Sequence, residues 1–228
     1  MPICSQISPC PMLTLHQFTV NPLQQNTYLL YNDEGMAAII DPGFYTPAEH
    51  LQLSQYLSAH RLQLSAIWLT HAHFDHVFGL KQVAQQHQLV PQLHPNEGGM
   101  LQMASVAATR WNLPFEGYTG PVQHFQTPQS LSLGSHNLQV INCPGHSPGH
   151  VAFYQAPTAP QHSGILIAGD TLFSGSIGRT DLPGGNHAQL LQSIHQQLLT
   201  LPLNTRVYPG HGPATTIGTE KIHNPYLA

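Results

Sequence analysis

Apolar, β-branched and aromatic residues gather in short runs at 14–20, 27–31 and 36–40, separated by Asn21-Pro22 and by Asn32-Asp33-Glu34-Gly35. Such runs with turn formers between them predict an N-terminal β-meander. The period changes over 47–60, where Leu51, Leu53 and Leu57 stand among glutamines behind a candidate N-cap, Thr46, with Pro47 at the first helical position. That pattern predicts a helix. Residues 66–70 form an unbroken apolar run of the kind buried on both faces of a sheet. It runs straight into the polar string His71-Ala72-His73-Phe74-Asp75-His76.

Further helices are predicted over 77–87, 97–111 and 187–199. Further strands are predicted over 90–93, 138–142, 151–154, 165–168 and 206–208, the last followed by a tail. The polar stretch 155–164 reads as a hairpin loop, too short to be a domain boundary. No internal repeat is visible. Residues 12–228 are therefore expected to form one α/β domain of mixed sheets covered by helices. Residues 1–11 carry neither period and are expected to be a disordered extension.

Composition narrows the function. Of 228 residues 41% are hydrophobic and 7% charged, with a formal net charge of −4. Disordered and membrane-spanning chains have other compositions. Six scattered basic residues cannot build a phosphate-binding stripe, so nucleic acid is not an expected partner. Cys4, Cys10 and Cys143 have no CxxC spacing, and no basic residue precedes an apolar core at the N-terminus. These features predict a cytoplasmic protein with neither a disulfide framework nor a sulfur-ligated metal. The unusual number is 17 histidines, against six basic and ten acidic residues.

In extended backbone, residues i and i+2 point to the same side, so His71 and His73 can grip one cation together. Asp75 and His76 follow as the chain turns toward a helix and are available to a second. In the later half His146 follows Pro144-Gly145, Asp170 follows Gly169 and His211 follows Pro209-Gly210, each after a predicted strand. Taken singly, Asp75 reads as a helix N-cap, and His146 or His211 as an ordinary hydrogen-bonded loop residue. Together they make seven donors at strand ends, more than one cation uses. Imidazole and carboxylate suit Zn²⁺, and also Fe²⁺ or Mn²⁺. The remaining histidines, His87 and His150 among them, are assigned ordinary roles, and Cys143 that of a small buried side chain.

The string from Thr70 to His76, with His146, Asp170 and His211, resembles the metallo-β-lactamase fold superfamily, and within it the short bacterial type of glyoxalase II-like hydrolase. Gln25-Asn26-Thr27-Tyr28, Asp41-Pro42-Gly43, Gly178-Arg179-Thr180-Asp181 and Tyr208-Pro209-Gly210-His211-Gly212 extend the resemblance over nearly the whole chain. It implies a four-layer αββα sandwich. It also implies that His71, His73 and His146 hold one metal and Asp75, His76 and His211 a second, with Asp170 bridging. Zn²⁺ is the expected ion at both.

Two such cations acidify water enough to supply a nucleophile near neutral pH, and Asp75 is the residue expected to orient it. The implied substrate is a small thioester, S-lactoylglutathione in particular. Lys221, and less directly Arg179, are the expected substrate-binding residues. A mono-iron persulfide dioxygenase is the alternative enzyme, but His211 in Pro-Gly-His-Gly favours the two-metal hydrolase. A non-catalytic metal-binding protein would be expected to lack a ligand, and none is missing.

Overall fold

The computed structural model describes residues 13–126, 128–159 and 161–227, so the extension expected over 1–11 lies outside them. The chain begins with the predicted meander β1 (Thr14–Val20), β2 (Gln25–Tyr31) and β3 (Met36–Ile40), followed by α1 (Pro47–Ala59) and β4 (Gln63–Trp68). Next come α2 (Phe74–Val77), α3 (Leu80–His87), β5 (Gln92–Leu93), α4 (Gly98–Thr109) and β6 (Gln123–His124). Strands β1 to β6 form one sheet in chain order, antiparallel through β3 and parallel from there on.

The second half contains β7 (Gln129–Leu133), β8 (His136–Asn142), β9 (Val151–Gln155), β10 (Ile165–Gly169) and the small hairpin β11 (Leu172–Phe173) and β12 (Ser176–Ile177). It closes with α5 (His187–Ser193), β13 (Arg206–Pro209), β14 (Thr215–Thr216) and α6 (Ile217–His223). The second sheet runs β14-β13-β10-β9-β8-β7, parallel only between β10 and β13. As expected, 155–164 closes an antiparallel hairpin between β9 and β10.

Side chains alternate across each strand and so distribute themselves among three cores. Leu29, Ile39 and Ile67 face α1, α3 and α4, while their neighbours Tyr28, Ile40 and Trp68 face the second sheet. From that sheet Val140, Phe153 and Ile167 point inward, and Ile141, Ala152 and Leu166 pack with Leu190, Ile194 and Ile217 of the covering helices. Helix, sheet, sheet, helix is the αββα sandwich.

The Thr46 expectation also holds: its hydroxyl accepts from Glu49 N while Glu49 Oε2 accepts from Thr46 N, a reciprocal capping box. Three helical readings change. The helix expected over 77–87 is two, because the Gly79 N–H is taken by the Pro42 carbonyl. The helix over 187–199 loosens into a π turn at Ile194–Leu198. The expected tail contains α6, capped by Thr216.

Candidate metal centre

Four strands end at one edge of the sandwich, and the chain leaving each delivers a donor. From β4 come His71 and His73, the latter in extended backbone at the N-cap of α2. Asp75 and His76 sit inside that helix and are buried, so Asp75 is not the cap. His146 arrives through the turn after β8, Asp170 directly after β10, and His211 after β13. The turn before His146 needs Gly145: its φ is +135°, and a side chain there would collide with the Leu190 backbone of α5.

These donors converge into two sets of three. One ligand atom from each of His71, His73 and His146 lies within 4.8 Å of the others, and the same holds for Asp75, His76 and His211. His73 Nδ1 and His146 Nε2 are 2.8 Å apart. His211 Nε2 is 3.1 Å from Asp75 Oδ2. Asp170 stands between the sets, its Oδ2 3.6 Å from both His146 Nε2 and His211 Nε2, its Oδ1 3.4 Å from His76 Nε2.

Several of the atoms facing this space have no partner. His71 Nε2, His76 Nε2 and Asp170 Oδ1 are buried without a hydrogen bond. Orphaned buried polar atoms are costly, and cations held by the two sets would satisfy them. The donor chemistry, imidazole with carboxylate, fits divalent transition metals.

Protonation follows from the same packing. Burial, then the neighbouring imidazoles, holds His71 well below the ordinary imidazole range, and burial with His146 pushes His73 down to about 3. Both are thus neutral, the form that binds metal. For His76 burial opposes a charge, but Asp170 and Asp75 outweigh it and hold the ring well above its ordinary value. Asp170, against its own burial, is held well below the carboxylate range by His76 and His211.

Partners on the far side of the rings decide which nitrogen faces the cluster. His146 Nδ1 donates to the Arg179 carbonyl at 2.8 Å, and His211 Nδ1 to the Leu23 carbonyl at 3.2 Å. His76 Nδ1 donates to Asp41 Oδ2 at 3.0 Å. His71 Nδ1 donates to Thr70 Oγ1, which in turn donates to the same Asp41 oxygen. Sequence reasoning does not place Asp41 in the site; its signal there is the stretch Asp41-Pro42-Gly43 that carries the family resemblance, and the structure sets it directly after β3, the parallel neighbour of β4. His150, assigned an ordinary role, lies fully buried beside the cluster and accepts the Asp170 N–H at Nε2.

The two expected substrate-binding residues do not join the cluster through their side chains. Lys221 Nζ donates to the Leu199 carbonyl at 3.4 Å. The reason is topological: α6 follows Thr216, which pairs with Arg206 at the start of β13, whereas His211 lies beyond its end. Arg179 spends its guanidinium on both Asp181 oxygens at 2.7 Å and reaches the centre only by its carbonyl. Cys143 is fully buried, as expected of a small core side chain.

Residues 20–211 match the family model described as the metallo-beta-lactamase superfamily. The chain belongs to that superfamily. Its class is that of the metal-dependent hydrolases. The chain is 41% identical to a Bacillus subtilis protein named probable metallo-hydrolase YqgX, over 91% of this chain and 94% of that one. It is 38% identical to hydroxyacylglutathione hydrolase GloC of Haemophilus influenzae, over 91% and 95%. Among solved structures it resembles BLEG-1, titled a B3 metallo-beta-lactamase, at TM-score 0.84 and 40% identity, covering 94% of this chain and all of that one. It also resembles TTHA1623 in a di-iron-bound form, at TM-score 0.81 and 41% identity, covering 93% and 100%. Among the described residues no helix is long and apolar enough to cross a membrane.

Proposed function

We propose that this superfamily member holds two divalent cations, Zn²⁺ first with Fe²⁺ or Mn²⁺ as alternatives, and hydrolyses a small thioester such as S-lactoylglutathione. His71, His73 and His146 would hold one ion, Asp75, His76 and His211 the other, and Asp170 both. The cations would supply an acidified water and withdraw charge from a carbonyl oxygen.

The observation carrying the thioester reading is the commitment of the ring N–H groups. His71, His76, His146 and His211 each give Nδ1–H to a fixed acceptor, and Arg179 is tied to Asp181. None of these groups is free to protonate a departing amine or alkoxide. A thiolate leaves without that help. Asp75 is the carboxylate placed to accept a hydrogen bond from the attacking water. Once the water has given up one proton to solvent, the water oxygen adds to the thioester carbonyl carbon, the C–S bond breaks, and sulfur departs with the electron pair as a thiolate that is protonated from solvent. The likeness to GloC supports the same substrate class.

The test is metal analysis of protein purified without chelator, beside a panel of thioesters, lactones, β-lactams and persulfides. The expected result is close to two metals per chain with thioesters turned over fastest. Turnover of β-lactams alone would overturn the substrate, and of persulfides alone, with one iron, the reaction.

A further inference from the structure

Glu97 lies in a short 3₁₀ turn, Pro95–Glu97, just before α4, and its carboxylate is completely buried. A carboxylate out of water is costly unless donors surround it. Here Oε2 accepts from Ala72 N at 3.0 Å, and Oε1 accepts from Ser147 Oγ and Gly149 N, both at 2.7 Å.

The position of those donors matters more than their number. Ala72 stands between His71 and His73. Ser147 follows His146, and Gly149 precedes His150. One carboxylate therefore ties together the two loops that carry the three-histidine set, and those loops meet where His73 Nδ1 faces His146 Nε2 at 2.8 Å. The loop ends are otherwise joined by Val151 N donating to the Thr70 carbonyl, outside the histidine positions. Among the described residues no hydrogen bond of the Glu97 carboxylate goes to Asp75, His76 or His211.

We propose that Glu97 is a positioning residue for the three-histidine half of the centre: it sets the separation of the His71–His73 loop from the His146 loop, and hence that half's affinity for its cation, while leaving the Asp75–His76–His211 half unaffected. This rests on the two-metal reading above. Partners that orient ligands change metal affinity by about 10- to 100-fold when replaced. Glu97→Gln keeps the shape but turns one acceptor into an NH₂ that faces a donor, so at least one loop loses its tether. Ser147→Ala removes one tether alone.

A merely structural role predicts something else, and the chain contains the control. Glu220 is also buried, 1% exposed, and also accepts three hydrogen bonds, from Thr215 Oγ1, Gly175 N and Asn224 Nδ2. It touches neither histidine loop. If any lost buried carboxylate loosened the centre by weakening the fold, Glu220→Gln would act like Glu97→Gln.

The experiment loads the full-length protein with ¹¹³Cd²⁺, follows the two cadmium resonances by NMR, and titrates with a chelator. With Asp170 shared, the three-histidine site has one carboxylate residue and the other site two, Asp75 and Asp170, so the two give separate signals. Glu97→Gln is expected to weaken the three-histidine signal at least tenfold, and Ser147→Ala to weaken it less but in the same direction. Both should leave the other signal within about threefold, and Glu220→Gln should leave the ratio of the two unchanged. If Glu97→Gln does not fold, Ser147→Ala carries the test. Equal weakening of both signals, or the same selective loss in Glu220→Gln, overturns the inference alone. A wild-type protein that takes up no cation overturns the metal-centre reading and this inference with it.

Discussion

Asp41 Oδ2 accepts the Nδ1–H of His76 at 3.0 Å and the hydroxyl of Thr70 at 2.6 Å, so a single carboxylate fixes the tautomer of His76 and, through Thr70, that of His71. The two rings belong to different halves of the centre. In Asp41→Asn an amide N–H would confront His76 Nδ1 and favour the tautomer protonated at Nε2, the atom that faces the cluster. Affinity at the His76 half is expected to fall about 10- to 100-fold. Chelator competition measures it, and wild-type retention in Asp41→Asn would refute the orienting role.

Asp170 stands between the two sets, its carboxylate 3.6 Å from His146 of one and 3.4 and 3.6 Å from His76 and His211 of the other. Its removal should therefore cost more than that of a terminal ligand. Asp170→Ala is expected to lose most bound metal and activity, whereas His87→Ala, at the end of α3, should change neither. Equal metal content in Asp170→Ala and wild type would contradict the bridging position.

Lys221 now carries a prediction opposite to the one its charge suggested. Because Nζ engages the Leu199 carbonyl and no donor of the centre, Lys221→Ala should leave both KM and kcat for a thioester unchanged. A charge contact with substrate would instead raise KM with kcat held. Steady-state kinetics decides between them, and a several-fold rise in KM would restore Lys221 to the site.

What could be read in advance divides along physical lines. Strands such as β3 and β10 are buried on both faces, and continuous burial writes itself as an apolar run. The i, i+2 pair His71 and His73, and the glycines ahead of His146, Asp170 and His211, are local patterns and were visible as such. Asp41, Glu97 and His150 act on loops far away in the chain, His76 being 35 residues from Asp41. No local spacing marks such a contact. Helix α6 has seven residues and too little periodicity to stand out, and without it the direction of Lys221 could not be inferred.

Gly210 lies against Asp170 and His76 so closely that a β-carbon would collide with Asp170 Oδ1 and His76 Cε1, while its φ is not in the positive region. The effect of Gly210→Ala is thus steric and aimed at the cluster. The Asp170 carboxylate must turn aside, and it cannot do so and keep its place between the two sets. Gly212 is the converse: its φ is +75° and a β-carbon there meets nothing within 4 Å. Gly212→Ala should cost roughly 1–2 kcal/mol of stability through backbone strain alone. The expected outcome is a double dissociation. Gly210→Ala keeps a cooperative urea transition but loses metal, measured by elemental analysis after gel filtration, and Gly212→Ala keeps its metal but shifts the transition of the metal-free protein to lower urea. Full metal content in Gly210→Ala would show that Asp170 does not need the position it holds between His76, His146 and His211.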